Sequence, residues 1–153
     1  MKLGYLFRRQ DPTAGWPPAS TRPALEVASK RVGPLVLGDA LERASAVGKP
    51  LRIDRRASSR VLEYEGYSLD FGDTGLMCAS FAIEGKRSVR VDSHDFTAAT
   101  TPLDAMAWLG DPTSDSGDGG LRWLDYERDG ATLALEFDDG KLTCVQLYSE
   151  AYA

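Results

Sequence analysis

The chain has 153 residues, 42% of them hydrophobic and 27% charged, a length that buries roughly two-thirds of the unfolded surface and so folds as one domain, or two small fused halves, without a disulfide or metal. Eighteen basic against 23 acidic residues leave a net charge of −5, which argues against a nucleic-acid or anionic-membrane partner and favours solubility or a basic protein partner. No apolar run is long enough to cross a membrane as a helix, and the start, Met1-Lys2-Leu3-Gly4-Tyr5-Leu6-Phe7-Arg8-Arg9, is too short and too charged at its end for a signal peptide, so the expected compartment is the cytoplasm.

In chain order, residues 2–7 suit a short edge strand, and 10–23, rich in proline and carrying Gly15 and Trp16, reads as an extended loop. Residues 24–32 fit two descriptions. Leu25, Ala28 and Val32 would share a helical face, Leu25-Glu26-Val27 alternates like a strand, and Gly33-Pro34 ends either one. A helix is expected to start at Asp39, with Glu42 completing a capping box, and to bury Leu41, Ala44 and Val47 before Gly48-Lys49-Pro50. A hairpin follows, turning at Glu65-Gly66. A third strand comes after Asp73-Thr74-Gly75, with Met77, Ala79, Phe81 and Ile83 alternating. Residues 86–92 suggest a fourth strand and 93–100 a link. A second helix has Thr101 as cap, Pro102 at its first position and Gly110 at its end, with Leu103, Met106, Ala107 and Trp108 inward. Residues 115–120 form a polar, glycine-rich loop, and a second hairpin and third strand close the chain.

The pattern repeats itself. Arg60-Val61-Leu62-Glu63-Tyr64-Glu65 returns as Arg122-Trp123-Leu124-Asp125-Tyr126-Glu127, and Gly48-x-Pro50 as Gly110-x-Pro112, all 62 residues on. Downstream the offset becomes 66, where Leu69, Phe71, Asp73, Leu76 and Cys78 match Leu135, Phe137, Asp139, Leu142 and Cys144. Over positions 39–50, 60–65 and 68–80, twelve of 31 are identical, where chance gives about two. The four extra residues in the second copy lengthen a hairpin by two per strand, which preserves side-chain facing. With Asp129-Gly130 as a type I′ turn, Arg122 pairs with Phe137, Leu124 with Leu135 and Tyr126 with Leu133 on an apolar face. Trp123 then pairs with Glu136, Asp125 with Ala134 and Glu127 with Thr132 on a polar one. The first copy gives Arg60 with Phe71 and Leu62 with Leu69, then Val61 with Asp70 and Glu63 with Ser68. The implied divisions are an N-terminal strand and proline-rich segment (1–33), a first repeat (34–98) and a second (99–153).

Several residues invite a chemical reading. Glu63 with Glu65, and Asp125 with Glu127, resemble the paired carboxylates of glycosidic or metal chemistry, yet two residues apart on one strand is also how any solvated face looks. His94, between Asp92 and Asp95, would need further ligands to hold a metal, and a solvated linker explains it. Gly117-Asp118-Gly119-Gly120 lacks the lysine and strand-to-helix setting of a phosphate loop. Cys78 and Cys144, at equivalent positions, read as two buried free thiols. Arg60 and Arg122 on the apolar face must reach out at the sheet edge or pair with a carboxylate. Trp123 is either covered by a loop such as the Trp16 segment or, uncovered among acids, has the composition of a protein-binding hot spot.

Helix, Gly-x-Pro and a meander ending in Phe-Asp-Asp-Gly-Lys-Leu resembles the outer-membrane assembly lipoprotein family SmpA/OmlA (BamE); doubled, it resembles the β-lactamase inhibitor protein architecture. Carrying residues are Leu37-Gly38, Leu41, Gly48, Pro50, Tyr64, Phe71 and Leu76, then Leu103, Leu109, Gly110, Pro112, Tyr126, Phe137, Asp139, Gly140 and Leu142, over about 37–83 and 99–149. There is no lipobox cysteine and no disulfide pattern of the secreted inhibitor. The resemblance implies helices packed on one face of a curved antiparallel sheet, with the other face free to bind protein, and transfers no functional residue.

The sequence thus predicts an α+β fold, a tandem repeat of helix plus antiparallel β-meander. Its expected function is that of a non-enzymatic, cytoplasmic protein-binding module, an inhibitor or immunity-like protein for a basic partner, monomeric or weakly dimeric. The alternatives are an assembly subunit of a multi-protein complex and a small-molecule-binding or hydrolytic enzyme. The expected partner site is Glu63, Glu65, Trp123, Asp125, Glu127 and Glu136, with no catalytic residues, metal or cofactor.

Overall fold

Alternating apolar and polar residues punctuated by Asp-Gly and Gly-containing turns make thirteen strands in the computed structural model, which describes residues 11–152. The strands are β1 (Leu25–Glu26), β2 (Arg31–Val32), β3 (Leu35–Val36), β4 (Arg52–Arg55), β5 (Arg60–Tyr64), β6 (Tyr67–Gly72), β7 (Gly75–Ala82), β8 (Val89–Val91), β9 (His94–Phe96), β10 (Ser114–Asp118), β11 (Leu121–Arg128), β12 (Ala131–Asp138) and β13 (Lys141–Ser149). One α-helix, α1 (Pro102–Leu109), and two 3-10 turns, Leu41–Ala46 and Glu150–Tyr152, complete the described residues. Eight strands form a large sheet in the order β10-β11-β12-β13-β7-β6-β5-β4, and five form a small one in the order β3-β2-β1-β8-β9.

The expected α+β class is overturned: 47% of the described residues are strand and 12% helix. What lies against the apolar face of the large sheet is chiefly the small sheet, whose Leu25, Val32, Leu35, Val89, Val91 and Phe96 join Leu62, Leu69, Phe81, Leu124, Leu133, Leu135 and Phe137 in one buried cluster. The first predicted helix is only a six-residue 3-10 turn that buries Leu41 and Ala44. Its cap fails because the Asp39 carboxylate turns back to accept from the Val36 N–H at 2.9 Å, leaving Ala40 at the start with no side-chain cap. So short a segment gains too few backbone bonds to offset nucleation of an α-helix. α1 does form, with Thr101 and Asp104 as a reciprocal capping box and Pro102 in the first turn. Its inward face differs from expectation: Ala105 is buried, whereas Leu103 is 77% exposed.

Further corrections follow from the small sheet and the edges. Residues 24–32 are two short strands, Val89–Val91 pairs into the small sheet beside β1 and not into the first meander, and His94–Phe96, expected as linker, is its outer strand. Ser114–Asp118, expected as loop, is an edge strand. The strand proposed for 2–7 lies outside the described residues.

Both hairpins have the register derived from alternation. Leu62 faces Leu69 and Glu63 faces Ser68; Leu124 faces Leu135 and Trp123 faces Glu136. Asp129 and Gly130 have φ of 49° and 83°, the positive pair that a type I′ turn requires. Each copy breaks register at the same place, between Asp70 and Phe71 and between Glu136 and Phe137. Each also uses its tyrosine alike, since the Tyr64 hydroxyl donates to the Gly48 carbonyl at 2.8 Å and the Tyr126 hydroxyl to that of Gly110 at 3.0 Å. The recurring tyrosine and Gly-x-Pro are therefore two ends of one tether.

The meanders meet through their last strands. In the β7–β13 pairing Cys144 faces Ala82, Cys78 faces Tyr148, and Ser80 faces Gln146, its own counterpart at the offset of 66. A local two-fold axis passes between Ser80 and Gln146, whose side-chain amide donates to the serine hydroxyl at 3.3 Å.

Candidate functional site

Because facing alternates along every strand, the residues that avoid the core line up across the outer side of the large sheet. Ser114, Asp125, Ala134, Gln146, Ser80, Ser68, Glu63 and Arg52 form one row spanning all eight strands. Small and polar side chains hold its centre, and a carboxylate stands towards each end. The neighbouring rows are related by the two-fold axis but dressed differently. Where one has Val61, Asp70 and Cys78, the other has Trp123, Glu136 and Cys144.

The first of these halves is covered. The Glu150–Tyr152 turn packs against β7, and Val61, Asp70 and Cys78 are 5%, 9% and 3% exposed. Burial, reinforced by the Asp70 charge, pushes the Cys78 thiol up to about 12. The second half is open: Trp123, Asp125 and Glu136 are half-buried and Glu127 is exposed. The Trp123 indole N–H donates to Glu136 Oε1 at 3.3 Å, Thr143 Oγ1 donates to Glu136 Oε2 at 3.0 Å, and Ser114 Oγ donates to Asp125 Oδ2 at 3.3 Å. The carboxylates are thus oriented by neutral donors. Among the described residues no cation pairs with Asp125, Glu127 or Glu136 within salt-bridge distance.

No family model, curated protein or solved structure matches the chain.

The structure brings together Trp123, Asp125, Glu127 and Glu136 and separates the other two predicted site residues from them. Glu63 shares the outer face but lies five strands from β11, about 24 Å at ordinary strand spacing, where its charge is taken by Arg52. Glu65 is not on a strand at all: it occupies the β5–β6 turn and pairs weakly with Arg87 at 3.7 Å. The expectation that Glu63 and Glu65 share a strand face fails because the shorter hairpin ends its first strand at Tyr64, two residues earlier than the second copy, which puts Glu65 in the turn.

The remaining candidates are accounted for locally. Arg122 makes two hydrogen bonds to Asp115, at 3.0 and 2.8 Å, clasping the edge strand β10. Asp92 accepts from the Val27 N–H, tying the small sheet to its loop, and the His94 ring stacks on Trp108 at 4.8 Å. Among the described residues no cluster of His, Cys, Asp and Glu could hold a metal ion, and no helix is long and apolar enough to cross a membrane. Both cysteines are free; Cys78 is buried, whereas Cys144 is only half-buried. Trp16, the proposed cover for Trp123, instead packs against the core and lines a separate cleft.

Proposed function

We propose that this chain is a non-enzymatic protein-binding module that takes a basic partner on the open half of its large sheet, in the manner of an inhibitor or immunity protein. The observation that carries the proposal is the contrast across the two-fold axis: the half bearing Val61 and Cys78 is buried, with the chain's own C-terminal turn packed on it, while the half bearing Trp123 is only half-buried. Carboxylates with neutral partners and, among the described residues, no pairing cation are a field awaiting counter-charge, and they steer a basic surface towards the site. The tryptophan supplies the area that such a contact buries at its centre.

The test is retention of partners on immobilised protein at low and high salt, using the parent, Trp123→Ala and Asp125→Arg. Loss of the tryptophan is expected to weaken binding by about 2 kcal/mol or more, and charge reversal to slow association most at low salt. Proteins retained equally by the parent and both variants at low salt would place the partner site elsewhere.

A further inference from the structure

A cleft of about 610 Å³ opens where the β5–β6 turn meets the proline-rich segment, a size suited to a small molecule. One wall is aromatic. The Tyr64 and Tyr67 rings stack in parallel with centroids 4.7 Å apart, and Tyr67 stacks in turn on Phe81 at 5.4 Å. Trp16 and Leu51 also line it, Leu51 with 77% of its surface exposed.

The other lining is charged and mostly cationic. Arg22, Lys49 and Arg87 border the cleft together with one carboxylate, Glu65. Arg22 and Arg87 crowd over Gly66: a Cβ there would meet Arg87 Cδ at 2.9 Å and Arg22 Nη1 at 3.1 Å. The bare glycine lets two like charges converge, which is unfavourable in a protein left to itself. Arg87 is relieved by the exposed Glu84 at 2.9 Å and Glu65 at 3.7 Å. Arg22 has no such relief among the described residues. Its Nη2 donates to the carbonyls of Gly66 at 3.1 Å and Ala82 at 2.7 Å, its buried Nε has no acceptor, and its guanidinium lies 5.4 Å from the Phe81 ring centre. Burial and the neighbouring Arg87 both press its pKa below the ordinary arginine value. Two neutral carbonyls hold this cation in place without neutralising it.

We infer that the cleft is a binding site for a small organic anion, a carboxylate carried on a flat apolar body. The body would lie along the Trp16, Tyr64 and Tyr67 wall, and the carboxylate would meet the cations gathered over Gly66. A carboxylate matches the arginine fork, and a planar ring matches both the aromatic wall and the arginine plane. The site is distinct from the outer sheet face, since Tyr64 and Tyr67 belong to the inward-facing rows.

Isothermal titration with 2-naphthoate, with its neutral counterpart 2-naphthylmethanol and with inorganic phosphate tests this on the full chain. One saturable naphthoate site is expected, at least ten-fold tighter than the alcohol and tighter than phosphate. Arg87→Gln is expected to weaken naphthoate at least five-fold and to leave the alcohol unchanged. This variant is safe for the fold because among the described residues Arg87 pairs only with exposed carboxylates, and circular dichroism checks it. Leu51→Ala is expected to weaken both aromatic probes. Equal affinity for naphthoate and alcohol, equal affinity for phosphate and naphthoate, no saturable naphthoate site, or naphthoate binding indifferent to Arg87→Gln would each overturn the assignment.

Discussion

Two buried tyrosines separated by 62 positions perform one task on glycine carbonyls of different burial, Gly48 being buried and Gly110 exposed, and that difference sets their worth. The Tyr64–Gly48 hydrogen bond is buried, whereas the Tyr126–Gly110 bond is partly so. Tyr64→Phe leaves a carbonyl with neither water nor hydroxyl, so urea unfolding is expected to show a loss of about 1–3 kcal/mol, against about 0.5–1.5 kcal/mol for Tyr126→Phe. A larger loss at Tyr126 would contradict this ranking. The same burial governs alkaline stability. Tyr67 is pushed up to about 12 from 10.0 and Cys78 to about 12 from 9.0, in both cases chiefly by desolvation. A group whose folded pKa is raised contributes stability that is fully present below its unfolded pKa and is lost as pH rises through the folded one. The urea midpoint should therefore hold to about pH 9 and fall progressively towards pH 12, with Cys78→Ala removing the earliest part of the decline. In native protein, half-buried Cys144 should react with a thiol reagent before Cys78, and both should react once unfolded.

Among the elements, legibility tracked length and turn chemistry. The two hairpins could be read to the residue because period-two alternation runs for five or more positions and ends at Asp129-Gly130 or Glu65-Gly66. The facing of Trp123, Asp125 and Glu136 followed from the same alternation. The small sheet could not be read, since strands of two or three residues such as Leu25–Glu26 and Val89–Val91 show no period. Ser114–Asp118 has almost no strand propensity; it is held by pairing to β11, by the Arg122–Asp115 clasp and by Thr113, whose hydroxyl accepts from the Glu127 N–H. Its aspartates, like Arg52 and Arg55 on the opposite edge strand, guard against pairing with other chains. The cleft was hidden because its cations come from separate segments that only folding brings together. Turns, too, differ in what they tolerate. Gly75 has φ +93° and a Cβ there would lie 2.2 Å from the Gly38 carbonyl oxygen, whereas Gly140, at φ +79°, has open space around it. Gly140→Ala is expected to cost only backbone strain, about 1–2 kcal/mol. Gly75→Ala should cost several kcal/mol, because the Gly38 segment must move as well. Similar unfolding midpoints for the two variants would show that this contact is not rigid.

For the molecule as a whole, the deciding feature is the seam between β7 and β13, on which both meanders and the small sheet share one buried cluster. Phe81, fully buried at that seam, should therefore report on both copies at once. Phe81→Ala is expected to cost about 3–5 kcal/mol and to leave a single cooperative transition by fluorescence and circular dichroism. Two resolved transitions would mean that the copies unfold independently. The pair on the axis has a consequence of another kind. In an assembly of two identical chains, a residue on the symmetry axis meets only itself, so serine would face serine or glutamine would face glutamine. Covalent fusion of the copies lifts that constraint: Ser80 faces Gln146 and accepts its hydrogen bond. The same freedom allows a C-terminal turn to shield one flank while its symmetry-related position stays more open, so that a symmetric scaffold can present a one-sided surface.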